Sequence, residues 1–292
     1  MPGRIVRATV GKKYGIDVSM LRSEEVSSDM VEAFHTDGAV VLRQCVDERW
    51  LGRIGEAIER DIVTPGPFYH GYVPADGQGK FHGNLRLWET DADCRAFCMD
   101  SGLALLAKTF LRSEKINLLY DQLFVKEPST ANPTRWHNDQ PYWPIRGAQV
   151  VSFWVALDQT VTDSGALEFV RGSHLWGRWF QPEKFGDTDG HDAYERNPNY
   201  EPMPDIDADR AAYDIVTWDL EPGDVYVFHG LTVHGARGNA RPDLRRRGYT
   251  VRYTGDDVVY DTRPGPNEHL RSAELNDGDP LDSARYPRVL LG

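Results

Sequence analysis

The stretch INLLYDQLFVKE, residues 116–127, opens a part of the chain in which short runs of β-branched and aromatic residues alternate with turns. The later runs are AQVVSFWVALDQ (148–159), GALEFVRGS (165–173), GDVYVFHG (223–230) and RGYTVRYTG (247–255). Short strands at this spacing, with turn residues rather than helical patterns between them, are typical of an all-β sandwich or jelly roll. We therefore predict a mostly β core over residues 116–255.

The sequence before this core predicts flanking α-helices. SEEVSSDMVEAFHTDG (23–38) has the apolar spacing of a helix and ends at Gly38, a residue type that commonly closes helices. Asp47 is a good N-cap for the amphipathic stretch ERWLGRIGEAIERDIV (48–63). A helical pattern returns at about residues 92–111. We expect these helices to pack on the outside of a sheet.

We expect residues 1–292 to form a single domain. Residues 1–115 would supply the helical flank and edge strands, residues 116–255 the core, and residues 256–292 a C-terminal tail. The core contains an acidic, Pro-rich insertion at residues 178–217, which is too polar for a strand pair and is expected to cover one mouth of the barrel. Gly, Pro and aromatic residues between positions 64 and 87 predict a long ordered loop near a ligand or at the edge of the core.

Composition argues against several classes of function. The net charge of -12 disfavours a nucleic-acid groove, which needs clustered Lys and Arg. Three cysteines are too few for a disulfide framework or a Cys-rich zinc site. The first residues lack the apolar core of a signal peptide, and no run reaches the length of a membrane span. We expect a cytoplasmic protein without nucleic-acid or membrane partners, and homo-oligomer formation is left open.

A histidine and an aspartate stand two residues apart in TRWHNDQPYW, residues 134–143. In an extended segment His137 and Asp139 would share one face, so the pair could hold a metal or could be a hydrogen-bonded pair at a strand end. A third ligand would come from downstream, where His229 and His234 are the candidates. We assign His229 to the core because it directly follows the apolar run VYVF. Two imidazoles and one carboxylate leave three open positions on a metal, the arrangement of non-haem Fe(II) oxygenases.

Several motifs also occur in the order found in one enzyme family. WHNDQPYWP, FWVALD, SGALEFVRGSH, GDVYVFHGLTVHGARGN and RRRGYTVRY together resemble the phytanoyl-CoA dioxygenase family of Fe(II)/2-oxoglutarate-dependent oxygenases, over roughly residues 116–253. The resemblance implies a double-stranded β-helix, that is, a jelly-roll, cupin-like core, with Fe(II) as cofactor and 2-oxoglutarate as co-substrate. Position by position, it assigns the metal ligands to His137, Asp139 and His234. 2-Oxoglutarate can then fill two of the three open positions, and the last is left for O2.

The resemblance places the arginine that pairs with the distal carboxylate of 2-oxoglutarate at Arg246, 12 residues after His234 (246 minus 234). A buried carboxylate needs a charged partner, and the planar guanidinium of arginine matches its geometry. If Arg246 faces the barrel, strand alternation points Arg245 and Arg247 outward, where solvated charges are ordinary.

Other candidate site residues rest on weaker patterns. Gln122 and Trp154 are candidates for co-substrate binding, although a polar residue on a solvated strand face and a core tryptophan are the alternatives. Tyr142 and Trp143 are candidates for the substrate pocket. Arg252 shares its strand parity with Arg246 and is a third substrate candidate.

The predicted function is a non-haem Fe(II)/2-oxoglutarate-dependent dioxygenase that hydroxylates an unactivated C–H bond of a small molecule. 2-Oxoglutarate and O2 would be converted to succinate and CO2. The same machinery used for desaturation, epimerisation or cyclisation is an alternative, and so is a non-catalytic cupin-like binding protein. Halogenation is disfavoured, because relatives that halogenate replace the carboxylate ligand with a small residue and Asp139 is present.

Overall fold

The computed structural model describes residues 26–72, 79–183 and 194–290. Its helices are α1 (Ser28–Asp37), α2 (Glu48–Val63), α3 (Ala92–Asp100) and α4 (Leu103–Leu111). Its strands are β1 (Ala39–Leu42), β2 (Phe81–Leu85), β3 (Ile116–Lys126), β4 (Thr134–His137), β5 (Ile145–Arg146), β6 (Val150–Ala156), β7 (Leu167–Val170), β8 (Ile215–Thr217), β9 (Val225–His229), β10 (His234–Ala236), β11 (Arg246–Thr254), β12 (Val259–Tyr260) and β13 (Arg288–Leu290). Among these helices, none combines the length and the apolar composition that crossing a bilayer requires.

The strands form a seven-stranded sheet, a four-stranded sheet and a two-stranded ribbon, all antiparallel. The large sheet has the order β1-β9-β6-β11-β3-β13, and β2 also pairs with β3. The small sheet has the order β4-β10-β7-β8, and the ribbon joins β12 to β5. The predicted mostly β fold with flanking α-helices is therefore confirmed.

Two helix ends lie where the sequence predicts, at Gly38 and Asp47, whereas α1 begins at Ser28, inside the predicted stretch 23–38. The side chain of Ser27 accepts a hydrogen bond from the backbone N–H of Met30 at the start of α1, and Gly38 closes the helix in the left-handed conformation with φ 84°. Asp47 accepts from the backbone N–H of Trp50 at 2.9 Å at the start of α2. These caps satisfy backbone groups that the helix itself leaves unpaired.

Side-chain alternation gives the large sheet two different faces. Tyr249 of β11 belongs to an apolar cluster with Phe34 of α1 and Phe97 of α3. Trp154 of β6 belongs to a second cluster that includes Phe169 of β7 in the small sheet. The helices therefore cover one face of the large sheet, and the other face packs against the small sheet.

Some local features differ from the sequence-based expectation. The helical stretch at 92–111 is two helices, because Gly102 adopts the left-handed conformation with φ 86° and interrupts the hydrogen-bonding pattern. The insertion was expected to be too polar for strand pairing, but its last residues form β8, which pairs with β7. The C-terminal tail also contributes strands, since β13 pairs with β3 and β12 with β5.

Some predicted features fall partly outside the described residues. These are residues 23–25 of the first predicted helix, 73–78 of the predicted loop and 184–193 of the predicted insertion.

Candidate metal centre

Strand pairing brings the predicted metal ligands together. His137 is the last residue of β4, and His234 is the first residue of β10. These two strands are antiparallel neighbours in which His137 lies opposite His234. The pairing therefore closes a sequence interval of 97 residues (234 minus 137) and places both imidazoles at one end of the small sheet.

Asp139 joins the histidines because the chain turns directly after β4. Its backbone is helical, with φ -74° and ψ -39°, and it precedes the short 3-10 turn Gln140–Tyr142. The extended segment assumed from the sequence thus ends at His137. The pairing of His137 with Asp139 was predicted correctly, but a turn rather than strand alternation produces it.

The three side chains form a compact, buried group. Oδ1 of Asp139 lies 3.2 Å from Nε2 of His137 and 3.9 Å from Nε2 of His234. One nitrogen or oxygen from each residue lies within 4.8 Å of the others, and the two imidazole centroids are 4.2 Å apart. In the described part of the chain, this is the one group of three or more His, Cys, Asp or Glu residues with such spacing.

Backbone carbonyls fix the orientation of both imidazoles. Nδ1 of His137 lies 2.8 Å from the carbonyl oxygen of Arg135, and Nδ1 of His234 lies 2.9 Å from that of Thr232. A proton on each Nδ1 leaves the Nε2 lone pairs directed at the common centre, as metal-binding histidines require. Burial, followed by the neighbouring His137, lowers the pKa of His234 to about 3, so its imidazole is neutral at physiological pH.

Asp139 remains ionised despite its burial. Burial alone would raise the pKa of its carboxyl, but the Arg252 guanidinium, together with the neighbouring imidazoles, more than offsets this and holds the pKa well below its usual range. Oδ2 of Asp139 lies 3.4 Å from both Nε and Nη2 of Arg252. The centre therefore offers two imidazoles and one anionic carboxylate, a donor set that suits Fe(II).

His229 has a different environment. Its Nε2 donates to the carbonyl oxygen of Ala148 at 2.8 Å, and its Nδ1 accepts from the backbone N–H of Leu231 at 3.0 Å. Burial lowers its pKa to about 4, which leaves it neutral. Both ring nitrogens are thus occupied, as expected for a histidine that belongs to the core.

A cavity of about 1010 Å³ opens onto the ligand group, and Arg246 lies in its wall. Arg246 is 2% exposed, and its Nη2 donates to the carbonyl oxygen of Gly165 at 2.7 Å. Its Nε has no hydrogen-bond partner, and no acidic side chain of the described residues lies within ion-pairing distance. Burial without a counter-ion lowers its pKa to about 10, a value at which it still carries its charge.

The two residues adjacent to Arg246 in the sequence make different contacts. Arg245 forms ion pairs with Glu59 and Glu127 at 2.6 and 2.9 Å. Arg247 pairs with Asp158 at 2.7 Å and with Glu59 at 3.1 Å. Of these three arginines, only Arg246 directs its guanidinium toward the cavity, as strand alternation predicts.

Trp154 packs against Arg246. The guanidinium carbon lies 5.1 Å from the centroid of the Trp154 ring, which also lines the cavity. Gly248 lies opposite Ala156 on the neighbouring strand, two residues from Trp154. A Cβ added to Gly248 would lie 1.9 Å from the Trp154 ring, so this position must be glycine for the indole to lie where it does. The sequence motif identified Trp154 but not the role of Gly248.

Gln122 lines the cavity and makes a contact that the sequence did not predict. Its Nε2 lies 3.3 Å from Nε2 of His70, whose Nδ1 lies 3.1 Å from the carbonyl oxygen of Phe68. Burial in the surrounding protein keeps the pKa of His70 below its ordinary value, so the ring is neutral and its Nε2 accepts from the amide. His70 comes from the Gly- and aromatic-rich loop, whose composition indicated proximity to a ligand but no specific residue.

Thr250 is a second residue that the sequence analysis missed. It is fully buried on β11, lines the cavity, and its hydroxyl has no hydrogen-bond partner among the described residues. It shares its strand parity with Arg246 and Arg252, so alternation along β11 places it on the cavity face but does not indicate its role. A buried hydroxyl without a partner is costly, which makes Thr250 a candidate for ligand contact.

The three predicted substrate residues have different positions. Tyr142 lines the cavity, but its hydroxyl donates to the carbonyl oxygen of Glu183 at 2.9 Å. This hydrogen bond connects the 3-10 turn after β4 to the insertion. Trp143 does not line the cavity, so its assignment to the substrate pocket was wrong. Its ring is buried behind the wall, and its Nε1 donates to the hydroxyl of Tyr120. Arg252 lines the cavity beside Asp139.

The outer part of the cavity draws on distant parts of the chain. The loop before β2, the insertion and the C-terminal tail all contribute. The lining residues from these segments include Phe68, Tyr69, His70, Tyr194, Glu195, Glu268, His269 and Arg271. The expectation that the insertion reaches one mouth of the core agrees with the positions of Tyr194 and Glu195.

Comparisons with known proteins agree with this site. A family model described as phytanoyl-CoA dioxygenase matches residues 34–248. A protein named probable phytanoyl-CoA dioxygenase from Caenorhabditis elegans is 26% identical over 249 residues, which cover 80% of this chain and 77% of that protein.

Solved structures show the same fold. The non-heme alpha ketoglutarate dependent carbocyclase SnoK from nogalamycin biosynthesis superimposes with a TM-score of 0.72 at 22% identity, over 90% of this chain and 96% of that one. The epimerase SnoN, in complex with Fe3+, alpha ketoglutarate and nogalamycin RO, gives a TM-score of 0.66 at 22% identity, over 89% and 97% of the two chains. With the family model matching most of its length, this chain belongs to the phytanoyl-CoA dioxygenase family of Fe(II)/2-oxoglutarate-dependent oxygenases.

Proposed function

We propose that the protein uses Fe(II), 2-oxoglutarate and O2 to hydroxylate an unactivated C–H bond of a small molecule, with release of succinate and CO2. The observation that carries this proposal is the buried group of His137, Asp139 and His234, whose ligand atoms lie within 4.8 Å of one another. In this proposal the two sheets form a double-stranded β-helix, and residues 1–292 form one oxygenase domain, since distant segments line one cavity.

The donor set fits Fe(II). Nε2 of His137, Nε2 of His234 and Oδ1 of Asp139 would hold the metal on one side and leave the cavity side open. When bound, the metal supplies the redox chemistry that couples O2 and 2-oxoglutarate to oxidation of a C–H bond. The protein orients the ligands and excludes water around them.

Arg246 is the proposed partner of the distal carboxylate of 2-oxoglutarate. It is buried, lacks an acidic partner in the described residues and lies in the cavity wall. A carboxylate that reaches it would be paired with a planar cation in a site that excludes water. Trp154 orients the guanidinium from one side. Gln122 and Thr250 line the same wall and are proposed to contact the co-substrate.

The cavity is large enough for a substrate in addition to the co-substrate. Its volume of about 1010 Å³ lies at the upper end of the range for pockets that hold drug-sized ligands. Several aromatic rings line it, including Phe68, Tyr69, Tyr142 and Tyr194. Such walls favour a molecule that itself carries rings or extended apolar surface.

The charges at the cavity mouth bear on whether the substrate is a coenzyme A thioester, as the family's name would suggest. The lining residues there include the acids Glu195 and Glu268 as well as Arg271 and His269. A coenzyme A thioester would bring several phosphate charges to a mouth with mixed charge, on a chain with a net charge of -12. We therefore propose a substrate that is not linked to coenzyme A.

The test is succinate formation by the Fe(II)-loaded protein with 2-oxoglutarate and O2, measured across a panel of ring-bearing small molecules and with phytanoyl-CoA. Substrate-dependent succinate with a free small molecule is the expected result. Iron and 2-oxoglutarate binding without succinate on any panel member would favour a non-catalytic binding protein instead. Succinate formation with phytanoyl-CoA alone would contradict the proposed substrate class.

Desaturation, epimerisation and cyclisation by the same residues form the second candidate. The structures similar to this chain include proteins named as a carbocyclase and an epimerase. Product mass separates the candidates, because hydroxylation adds one oxygen atom from labelled O2. Desaturation and cyclisation remove two hydrogen atoms, and epimerisation leaves the mass unchanged.

A further inference from the structure

Arg252 and the histidines contact different oxygens of Asp139. Oδ1 is the oxygen 3.2 Å from Nε2 of His137 and 3.9 Å from Nε2 of His234. Oδ2 lies 3.4 Å from both Nε and Nη2 of Arg252. One oxygen therefore points to the metal position, and the other points to the guanidinium.

Arg252 is itself held in place by aromatic rings. Its guanidinium carbon lies 4.5 Å from the centroid of Tyr120 and 5.6 Å from that of Trp143. Nε1 of Trp143 donates to the hydroxyl of Tyr120 at 2.8 Å, which fixes the two rings relative to each other. Because these residues are buried, the guanidinium is a rigid partner for the carboxylate.

We propose that Arg252 is a positioning residue that keeps Asp139 bound to Fe(II) through a single oxygen. This inference rests on the proposed function. A carboxylate can bind a metal through one oxygen or through both. If both oxygens of Asp139 bound, one of the three open positions would be lost, and 2-oxoglutarate and O2 need all three.

The alternative is that Arg252 contacts substrate, as the sequence first suggested. An arginine that only binds substrate would leave the coordination of Asp139 and the affinity for 2-oxoglutarate unchanged when it is replaced. A positioning arginine would change both. The two roles therefore differ in measurements that need no substrate.

The test compares Arg252→Met and Arg252→Lys with the control Arg247→Met. Arg247 lies on the same strand and also pairs with an aspartate, Asp158, but it does not line the cavity. Each variant is loaded anaerobically with Fe(II), its iron content is measured, and 2-oxoglutarate is titrated by the visible absorption of its iron chelate. Crystal structures with Mn(II) then give the distances from the metal to both oxygens of Asp139.

We expect wild type and Arg247→Met to bind one metal through Oδ1 alone. Removing a nearby positive charge favours a bound cation, so Arg252→Met should retain its metal. Both oxygens of Asp139 should then reach the metal, and 2-oxoglutarate affinity should fall by about ten- to hundredfold, as for other residues that orient metal ligands. Arg252→Lys keeps the charge but replaces two nitrogens with one, so a smaller loss of affinity is expected.

Single-oxygen coordination in Arg252→Met, with 2-oxoglutarate affinity within twofold of wild type, would overturn the inference. If Arg252→Met does not fold, Arg252→Lys decides, and unchanged coordination with unchanged affinity in that variant would overturn it equally. Wild type that binds neither metal nor 2-oxoglutarate would contradict the proposed function itself, so the two failures are distinguishable.

Discussion

Replacing Arg246 with leucine should separate co-substrate binding from folding. Arg246 is 2% exposed and has no acidic partner among the described residues, and burial lowers its pKa from the ordinary value for arginine to about 10. A lowering of this size corresponds to roughly 3 kcal/mol for keeping the unpaired charge buried. The bound carboxylate would offset this cost, so we expect Arg246→Leu to weaken 2-oxoglutarate binding by about a hundredfold.

The stability of the variant should not fall in parallel. Leucine removes a buried charge that lacks a counter-ion, which is neutral or stabilising when the replacement is apolar and of similar size. Arg245→Leu and Arg247→Leu are matched controls, because their ion pairs lie outside the cavity. Exposed ion pairs typically contribute up to about 1 kcal/mol, and these half-buried pairs should contribute somewhat more, so both controls are expected to lose some stability but to keep their 2-oxoglutarate affinity.

The assay is anaerobic titration of 2-oxoglutarate into the three Fe(II)-loaded variants, with thermal unfolding of each protein measured in parallel. A large loss of affinity in Arg245→Leu, with Arg246→Leu near wild type, would show that the inward and outward positions of β11 are exchanged. A destabilised Arg246→Leu with unchanged affinity would show that the guanidinium has only a structural role.

Three smaller predictions concern residues around this arginine and in the helix-facing core. Thr250→Val removes a buried hydroxyl without a partner, so 2-oxoglutarate affinity should fall about three- to tenfold in titration while thermal stability is unchanged or higher; lower stability with unchanged affinity would contradict this. Gly248→Ala would place a Cβ 1.9 Å from the Trp154 ring and should lower both stability and 2-oxoglutarate affinity. The control is Gly52→Ala on α2, where the added Cβ has no atom within 4 Å, and it should stabilise the protein by about 0.5–1 kcal/mol in chemical unfolding. Burial raises the pKa of Asp121 from 3.8 to about 7, so the folded state holds a proton that the unfolded state releases, and stability is lost as pH rises between these values. Relative to Asp121→Asn, wild type should lose up to about 1.4 kcal/mol per pH unit between pH 5 and 6, and less per unit as pH approaches 7. A parallel pH dependence of the two proteins would refute the assignment.

The sequence predicted the features of the fold that depend on local patterns. Gly38 and Asp47, which were predicted as helix ends, have the backbone freedom or the side chain that helix ends require, and each occurs at an observed end. The break at Gly102 was not predicted, because the residues on both sides keep a helical pattern. The short strand β8 was missed since three residues inside a polar insertion carry too little periodicity to be recognised.

The site was predictable as far as family motifs and strand alternation extend. His137, Asp139, His234 and Arg246 lie together around one cavity, as the resemblance implied. Trp143 was misplaced because the chain enters a 3-10 turn after β4, where neither strand alternation nor adjacency to Tyr142 predicts the direction of a side chain.

The remaining site residues depend on contacts between distant segments. His70 reaches Gln122 only because a loop folds back over β2, and a Cβ at Gly83 would lie 2.4 Å from Nε2 of His70. The contact of Arg252 with Asp139 links β11 to the turn after β4. Neither contact has a local pattern in the sequence, since each forms only when the sheets are assembled.

The most direct test of the proposed metal centre is the iron content of four alanine variants after anaerobic loading with Fe(II) and removal of excess metal. We expect one iron per chain in wild type and in His229→Ala, and almost none in His137→Ala, Asp139→Ala and His234→Ala. Circular dichroism on the same samples establishes which variants are folded. Loss of iron from folded His229→Ala, together with retention of iron by His234→Ala, would contradict the assignment of the ligands.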